Sequence, residues 1–368
     1  MPSLTRRKTL ALLGGGTVFA ATASAGTFVA TRTPHAALAP WDAAGRYDDP
    51  RLRALSYALL APNPHNRQPW EAELVGTDGV ALWRDKTRDL PVTDPFGRQL
   101  TIGMGCFLEL CRMAAAAEGL ATEMDLFPEG EDGPVARLTF ARGGVADPLF
   151  AHVMERRSHK EAFDAQAVGA EAAPLAEYAA LYLDGPDRDA LRDFALDAWL
   201  AEAETSAAWQ ESIDLLRIGK AEINAQPDGI DAGGPMLEAL ALAGIFTREA
   251  ASDLDNPGTR DAVESTAFAI GNAPAITLTT TPGNTRRDQI EAGRQWLRLN
   301  LAATGLGLAL RPVSQALQEY AEVLPIREAL HAQFAPEGGT VQMLGLLGYG
   351  QRTPRTPRWP LETRLRHA

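Results

Sequence analysis

Cysteine is nearly missing from this 368-residue chain, which has only two. Cys106 and Cys111 stand five apart on a predicted helix, about 140° around its axis from one another, so they cannot pair with each other. Without a disulfide framework the chain has to rely on its hydrophobic core, and both thiols are expected to be buried small hydrophobes. Aromatic residues are scarce at 7%, which argues against base-stacking platforms, and a formal charge of −12 argues against the basic surface that nucleic-acid binding needs. The six histidines show no metal-ligand spacing, so no metal is expected. There is no serine set in a glycine elbow and no Gly-x-Gly-x-x-Gly dinucleotide fingerprint. Beyond the N-terminus, no segment is expected to be long and apolar enough to span a bilayer.

What remains is an ordinary globular composition, 45% hydrophobic and 22% charged, long enough for one large or two medium domains. Residues 1–30 read separately. Thr5-Arg6-Arg7-Lys8-Thr9-Leu10 precedes an apolar run to Ala25, with small-residue cleavage options at Ala21-Thr22-Ala23 and Ala23-Ser24-Ala25. This pattern reads as a twin-arginine leader, so the export machinery is an expected partner. The expected location is the periplasm, free or membrane-anchored. That route carries folded proteins, which suggests a cofactor inserted before export.

Residues 31–48 read as a linker, 49–145 as a first half and 146–368 as a second, with a lid or insertion at about 227–259. Helices are expected at Asp49–Leu60, Leu100–Gly119, Ala146–Arg156, much of Asp189–Gln226, Met236–Phe246 and Ile290–Leu308. Strands are expected at Trp70–Val75, Val80–Arg84, Thr122–Leu126, Val135–Phe140, Ala275–Thr281 and Val341–Gly348. Setting Ile102–Ala121 over Ile290–Ala309 matches Ile102 with Ile290, Gly105 with Gly293 and Gly119 with Gly307. This internal repeat suggests two similar α+β halves packed about a pseudo-two-fold axis, like a dimer joined in one chain.

Three stretches concentrate chemistry. Ala61–Trp70 carries Pro62, Pro64 and Pro69, each with φ held near −65°, so it reads as a rigid extended loop rich in amide and imidazole groups. In Glu155–Asp164, an extended path points Arg156, Ser158 and Lys160 one way and Arg157 and His159 the other. Two cations and a hydroxyl on one side suit a phosphate or another anion. The third stretch is the tail Gly348–Pro360, where prolines hold arginines at the edge of the core. His65 and His159 are the histidines nearest these motifs.

Pro-Asn-Pro-His-Asn-Arg-Gln-Pro-Trp (62–70), Arg-Arg-Ser-His-Lys-Glu-Ala-Phe-Asp (156–164) and the Gly-Tyr…Arg-Trp-Pro tail together resemble the nitroreductase family of FMN flavoproteins. More narrowly, they resemble its fused, pseudo-dimeric, Acg-like branch. The resemblance implies a nitroreductase-like α+β fold and FMN between the halves. Pro62, Asn63 and Asn66 would come from the first half, and Arg156, Ser158 and Lys160 from the second. It implies phosphate contacts from Arg156 and from Arg358, with Arg355 as a shifted candidate. Lys160 would lie by the flavin N1–C2 oxygen region, and Pro312, Val313 and Ser314 would present backbone to the reactive edge. Asn63 and Pro64 replace the family's usual serines. The first half has neither a second Arg-x-Ser-x-Lys nor a basic tail, so one FMN per chain is expected.

No protein nucleophile is then required, because the flavin carries the electrons. The function implied is a two-electron oxidoreductase acting between a donor and a small acceptor of nitroaromatic or quinone type. The alternatives are a flavin storage protein whose lid prevents turnover, and an exported ligand-binding domain without flavin. A monomer or weak dimer is expected.

Overall fold

The structure, a computed structural model, describes Phe28 and residues 31–366. The twin-arginine motif and the cleavage options lie outside the described residues.

Helix α1 (His35–Ala43) occupies the stretch read as a linker; it packs Trp41, 1% exposed, into the core. An aromatic side chain of that size orders a segment that is otherwise mostly alanine and proline. Helix α2 (Pro50–Ala58) starts where the Asp49 carboxylate accepts from the Arg51 N–H, with proline at the first helical position. Then come β1 (Trp70–Val75), β2 (Gly79–Arg84), the long α3 (Arg98–Ala117), β3 (Leu120–Leu126) and β4 (Ala136–Arg142). The expected helix at 146–156 is only a 3-10 turn, Pro148–His152, opened by Asp147.

The second half opens with β5 (Ala180–Tyr182) and α4 (Gly185–Glu204). After α5 (Ser206–Asp214), the helical run expected to reach 226 is broken by β6 (Leu216–Ile218). It resumes as α6 (Gly219–Ala225), because β6 pairs in parallel with β7 (Ile230–Ala232). Next are α7 (Pro235–Leu242), α8 (Arg248–Ser252), α9 (Pro257–Gly271), β8 (Ala275–Thr281) and α10 (Arg286–Gly305). The chain closes with β9 (Ala309–Pro312), α11 (Leu324–Phe334) and β10 (Thr340–Gly348).

Two four-stranded antiparallel sheets result, ordered β1-β2-β4-β3 and β5-β8-β10-β9. Each has the same path: a strand, a 20-residue helix, an edge strand, then a return strand that inserts between the first and the edge. The α+β, two-half architecture read from the sequence is therefore present. Helices α3 and α10 cross where neither has a side chain. A Cβ on Gly105 would stand 2.2 Å from the Ile290 carbonyl oxygen, and one on Gly293 would stand 1.9 Å from that of Ile102. The contact is reciprocal between the aligned pairs, as in an isologous interface.

Helix α3 is long and apolar enough to cross a bilayer, against expectation, but it is buried in the protein instead. One continuous core runs through both halves and a second lies between α4, α9 and the second sheet. Cys106 and Cys111 are free and buried, and burial pushes both thiols up to about 12. The tail returns to the first half: the Arg366 N–H donates to the Ala72 carbonyl on β1 (2.8 Å).

Candidate functional site

The loop after α2 forms one wall of a cleft between the halves. Asn63 is extended (φ −158°, ψ 156°), as proline at 64 demands, but the chain then makes a 3-10 turn instead of continuing extended. His65, Asn66 and Gln68 have φ of 46°, 51° and 48°, a region that side-chain-bearing residues seldom occupy. Hydrogen bonds hold this strained path. The Asn63 Oδ1 accepts from the Gln68 N–H (2.7 Å), and its Nδ2 donates to the Ala61 carbonyl (3.2 Å). Gln68 is fully buried; its Nε2 donates to the Pro227 carbonyl (2.6 Å) and its Oε1 accepts from the Trp359 N–H (2.9 Å). The Asn63 and Gln68 amides are therefore used to tie loop, insertion and tail together, a role the sequence reading missed.

The segment 156–160 forms the facing wall, and the expected alternation is seen. Ser158 and Lys160 line the cleft, while Arg157 and His159 line a separate cavity behind it. The Arg156 guanidinium, 2% exposed, donates to the Leu60 carbonyl (2.9 Å). Arg358, equally buried, reaches the same Leu60 oxygen (3.3 Å) and that of Ala61 (3.2 Å). Both cations thus rest on carbonyls just past the C-terminal end of α2, where the helix dipole is negative. Among the described residues, Arg156 Nη1 and Arg358 Nε are buried without a hydrogen-bond partner. Burial pushes Arg156 down to about 10 and Arg358 down to about 9. Arg156 adds to the fall at Arg358, and Asp231 acts in the opposite direction. Asn66 orients this pair: its Oδ1 accepts from Arg358 and its Nδ2 donates to the Pro357 carbonyl (3.1 Å).

The cleft consists of adjoining cavities of about 230 and 180 Å³ that share Pro62, Asn63, His65, Ser158 and Pro312. The larger is charge-free, walled by Gln99, Ile102, Cys106, Trp296, Gln315 and Met343. Burial lowers the His65 pKa, so its imidazole is neutral near pH 7. The smaller carries Lys160, Asp231 and Arg358. Of the residues named from sequence, Pro62, Asn63, Asn66, Ser158, Lys160, Pro312, Ser314 and Arg358 meet here, with Arg156 behind them.

Two do not. Val313 is buried in the second core and its N–H donates to the Leu344 carbonyl (2.9 Å), because it prolongs the sheet contact beyond β9. Arg355 is drawn outward by Asp42 (2.7 Å) and lies over the Trp41 ring (5.5 Å). Lys160 also differs from expectation: Asp231 of β7 pairs with its Nζ at 2.5 Å. The sequence reading missed Gln99, Trp296, Gln315 and Met343. A polar glutamine in the first turn of a helix that is mostly apolar was the available signal for Gln99.

Together these features define an α+β protein whose interhalf cleft suits an elongated ligand, neutral along most of its length and anionic at one end. No family model matches the chain. Over 341 residues it is 27% identical to a Mycobacterium tuberculosis H37Rv protein named as a proposed NAD(P)H nitroreductase, an alignment covering 84% of this chain and 91% of that one. Over 79 residues it is 39% identical to acg, a similarly named protein of the same organism, covering 22% of this chain and 24% of acg. Among solved structures, the FMN-dependent nitroreductase NfnB from Mycobacterium smegmatis, in complex with NADPH, aligns with 60% of this chain and 98% of its own. The identity there is 18% and the TM-score 0.37. The sequence likeness is thus to proteins named as proposed NAD(P)H nitroreductases.

Proposed function

We propose that this chain is a nitroreductase-family flavoprotein that holds one FMN in the interhalf cleft. In this reading it passes two electrons from a nicotinamide-type donor to a small acceptor such as a nitroaromatic or quinone. The observation that carries the reading is the Arg156–Arg358 pair. Two buried guanidinium groups rest on backbone carbonyls, and each retains an unbonded nitrogen. Asp231, the carboxylate in the same cavity as Arg358, is already paired with Lys160, and buried cations without a countercharge of their own are unfavourable. A phosphate monoester would supply both the charge and the acceptors, through charge-assisted hydrogen bonds. The residues present therefore fit FMN.

Bound FMN supplies the electron transfer, and the protein supplies binding, orientation and electrostatics. Arg156 and Arg358 would hold the phosphate, with Asn66 fixing the Arg358 plane and the Ser158 hydroxyl beside them. Lys160, paired with Asp231 at the same charged end, would add positive potential beside the phosphate rather than at the ring. Trp296, Met343 and Ile102 keep water out of the neutral part, while Gln99, Gln315 and Ser314 offer polar contacts there. The reciprocal crossing of α3 and α10 supports reading the two halves as a fused dimer. Only one half carries the cationic segment and tail, so only one cleft would be filled. The leader at residues 1–30 supports export of the loaded protein by the twin-arginine route.

A second reading, flavin storage, is favoured by one observation. The insertion closes on the anionic end through the Asp231–Lys160 pair and the Gly229 N–H, which donates to the Asn66 carbonyl (3.3 Å). The purified protein is expected to be yellow, with an FMN absorption spectrum. Anaerobic addition of NADPH or NADH, then nitrofurazone, separates the readings: turnover supports the enzyme, and a flavin reducible only by dithionite supports storage. Colourless protein that takes up no added FMN defeats both.

A further inference from the structure

Behind the cleft, across the same extended segment, lies a cavity of about 290 Å³. Its walls come from residues 152–159, from the end of α10 with the turn into β9, and from tail residues 350–353. We propose that this cavity is a second anion site, taking a phosphoryl group on Arg157, Arg352 and Thr353.

Three observations support it. First, among the described residues Arg157 Nε and Thr353 Oγ1 are buried without hydrogen-bond partners. Arg157 lines this cavity and Thr353 stands on the border it shares with the smaller cleft cavity, so the unpaired guanidinium N–H, with the hydroxyl at its edge, is matched by an acceptor-rich ligand. Second, the lining carries two guanidinium groups, Arg157 and Arg352, against one carboxylate among the described residues, Glu155, which pairs with Arg352. Burial, and then Arg352, lowers the Arg157 pKa. Third, glycines make room for polar rings. A Cβ on Gly305 would stand 2.6 Å from His152 Nε2, and one on Gly350 would stand 2.8 Å from His159 Cε1. The carbonyls at the end of α10 do not oppose an anion strongly, because those of Ala302, Ala303 and Thr304 already accept from the 306–308 N–H groups.

The phosphoryl group could be free phosphate or the 2′-phosphate of a nicotinamide donor. The first source stands independently of the FMN reading; the second rests on it. The test is calorimetric titration of inorganic phosphate into the full chain as purified, in chloride buffer. Saturable binding is expected, weakened at least tenfold by Arg157→Gln and by Arg352→Gln, and less by Thr353→Val. Arg352 is half-exposed, so its variant keeps the test valid should loss of the Arg157–Trp41 stacking unfold the other. Arg358→Gln, which on the preceding reading loses flavin, should retain phosphate affinity within about twofold, so failure of one site is distinguishable from failure of the other. Displacement of phosphate by NADPH but not NADH assigns the 2′-phosphate; displacement by neither assigns free phosphate. Absence of saturable binding, or binding indifferent to both Arg157→Gln and Arg352→Gln, overturns the proposal.

Discussion

Glu109 on α3, 1% exposed, accepts from Arg112 of its own helix (2.6 Å) and from Arg294 and Arg298 of α10 (2.9 Å each). Asp147, from the connecting segment, closes the cluster on Arg298 (2.7 Å). Arg156 and Arg358 join the same two halves at another point, equally buried, but among the described residues they rest only on backbone carbonyls and the Asn66 amide. In the first cluster every buried charge has its opposite inside the protein, and the neighbouring arginines hold the Glu109 carboxyl down at about 2 despite burial. In the second, burial works against the cations with little to offset it. A closed cluster fastens the fold; an open one of a single sign reserves its strongest interaction for something that arrives from outside.

The sharpest break of this contrast is Glu109→Ala. It leaves Arg112 and Arg298 with Asp147 as their remaining shared carboxylate, takes from Arg294 its buried partner, and should reduce stability by about 3–5 kcal/mol in denaturant unfolding. The partial exposure of those arginines favours the lower end. A loss under 1 kcal/mol would mean that the cluster does not fasten the halves. Acid titration tests the same group without mutation. Its folded pKa lies below its unfolded value, so its stabilisation is complete above about pH 4.5 and disappears as pH falls toward 2. Thermal melts should weaken over that window, and the Glu109→Ala protein should show a shallower acid limb.

At the open cluster the consequence should fall on ligand retention. Arg358→Met removes one charge-assisted hydrogen-bonding group, worth about 1.5–3 kcal/mol, and should weaken FMN binding roughly ten- to hundredfold in fluorescence titration. The ligand-free melting temperature should barely move, because an unfavourable buried cation departs along with its hydrogen bonds. A large fall in that temperature with FMN affinity unchanged would reverse the contrast. Lys160→Ala should have the smallest effect, under about tenfold, because its charge is half-exposed and already shared with Asp231. A loss beyond a hundredfold would make Lys160, rather than Arg358, the main anchor.

Much of this arrangement was legible locally. Strands β1 and β8 span the expected residues, and the two long helices lie within a few residues of theirs, because alternation and helical periodicity are short-range properties. The side-to-side alternation of 156–160 likewise follows from extended backbone alone. The errors have a common origin. Lys160 was read without Asp231, 71 residues away, and Arg355 without Asp42. Val313 was read without the sheet neighbour that takes its N–H, and the linker without the core that receives Trp41.

The sequence by itself determined which segments become helix or strand, where glycine permits the two long helices to touch, and which loops hold cations and amides. Only the tertiary structure decided which cations are neutralised at home and which are left open. That choice depends on which distant carboxylate the chain brings within a few ångströms, and Coulomb energies at such separations are set by position and burial rather than by residue identity.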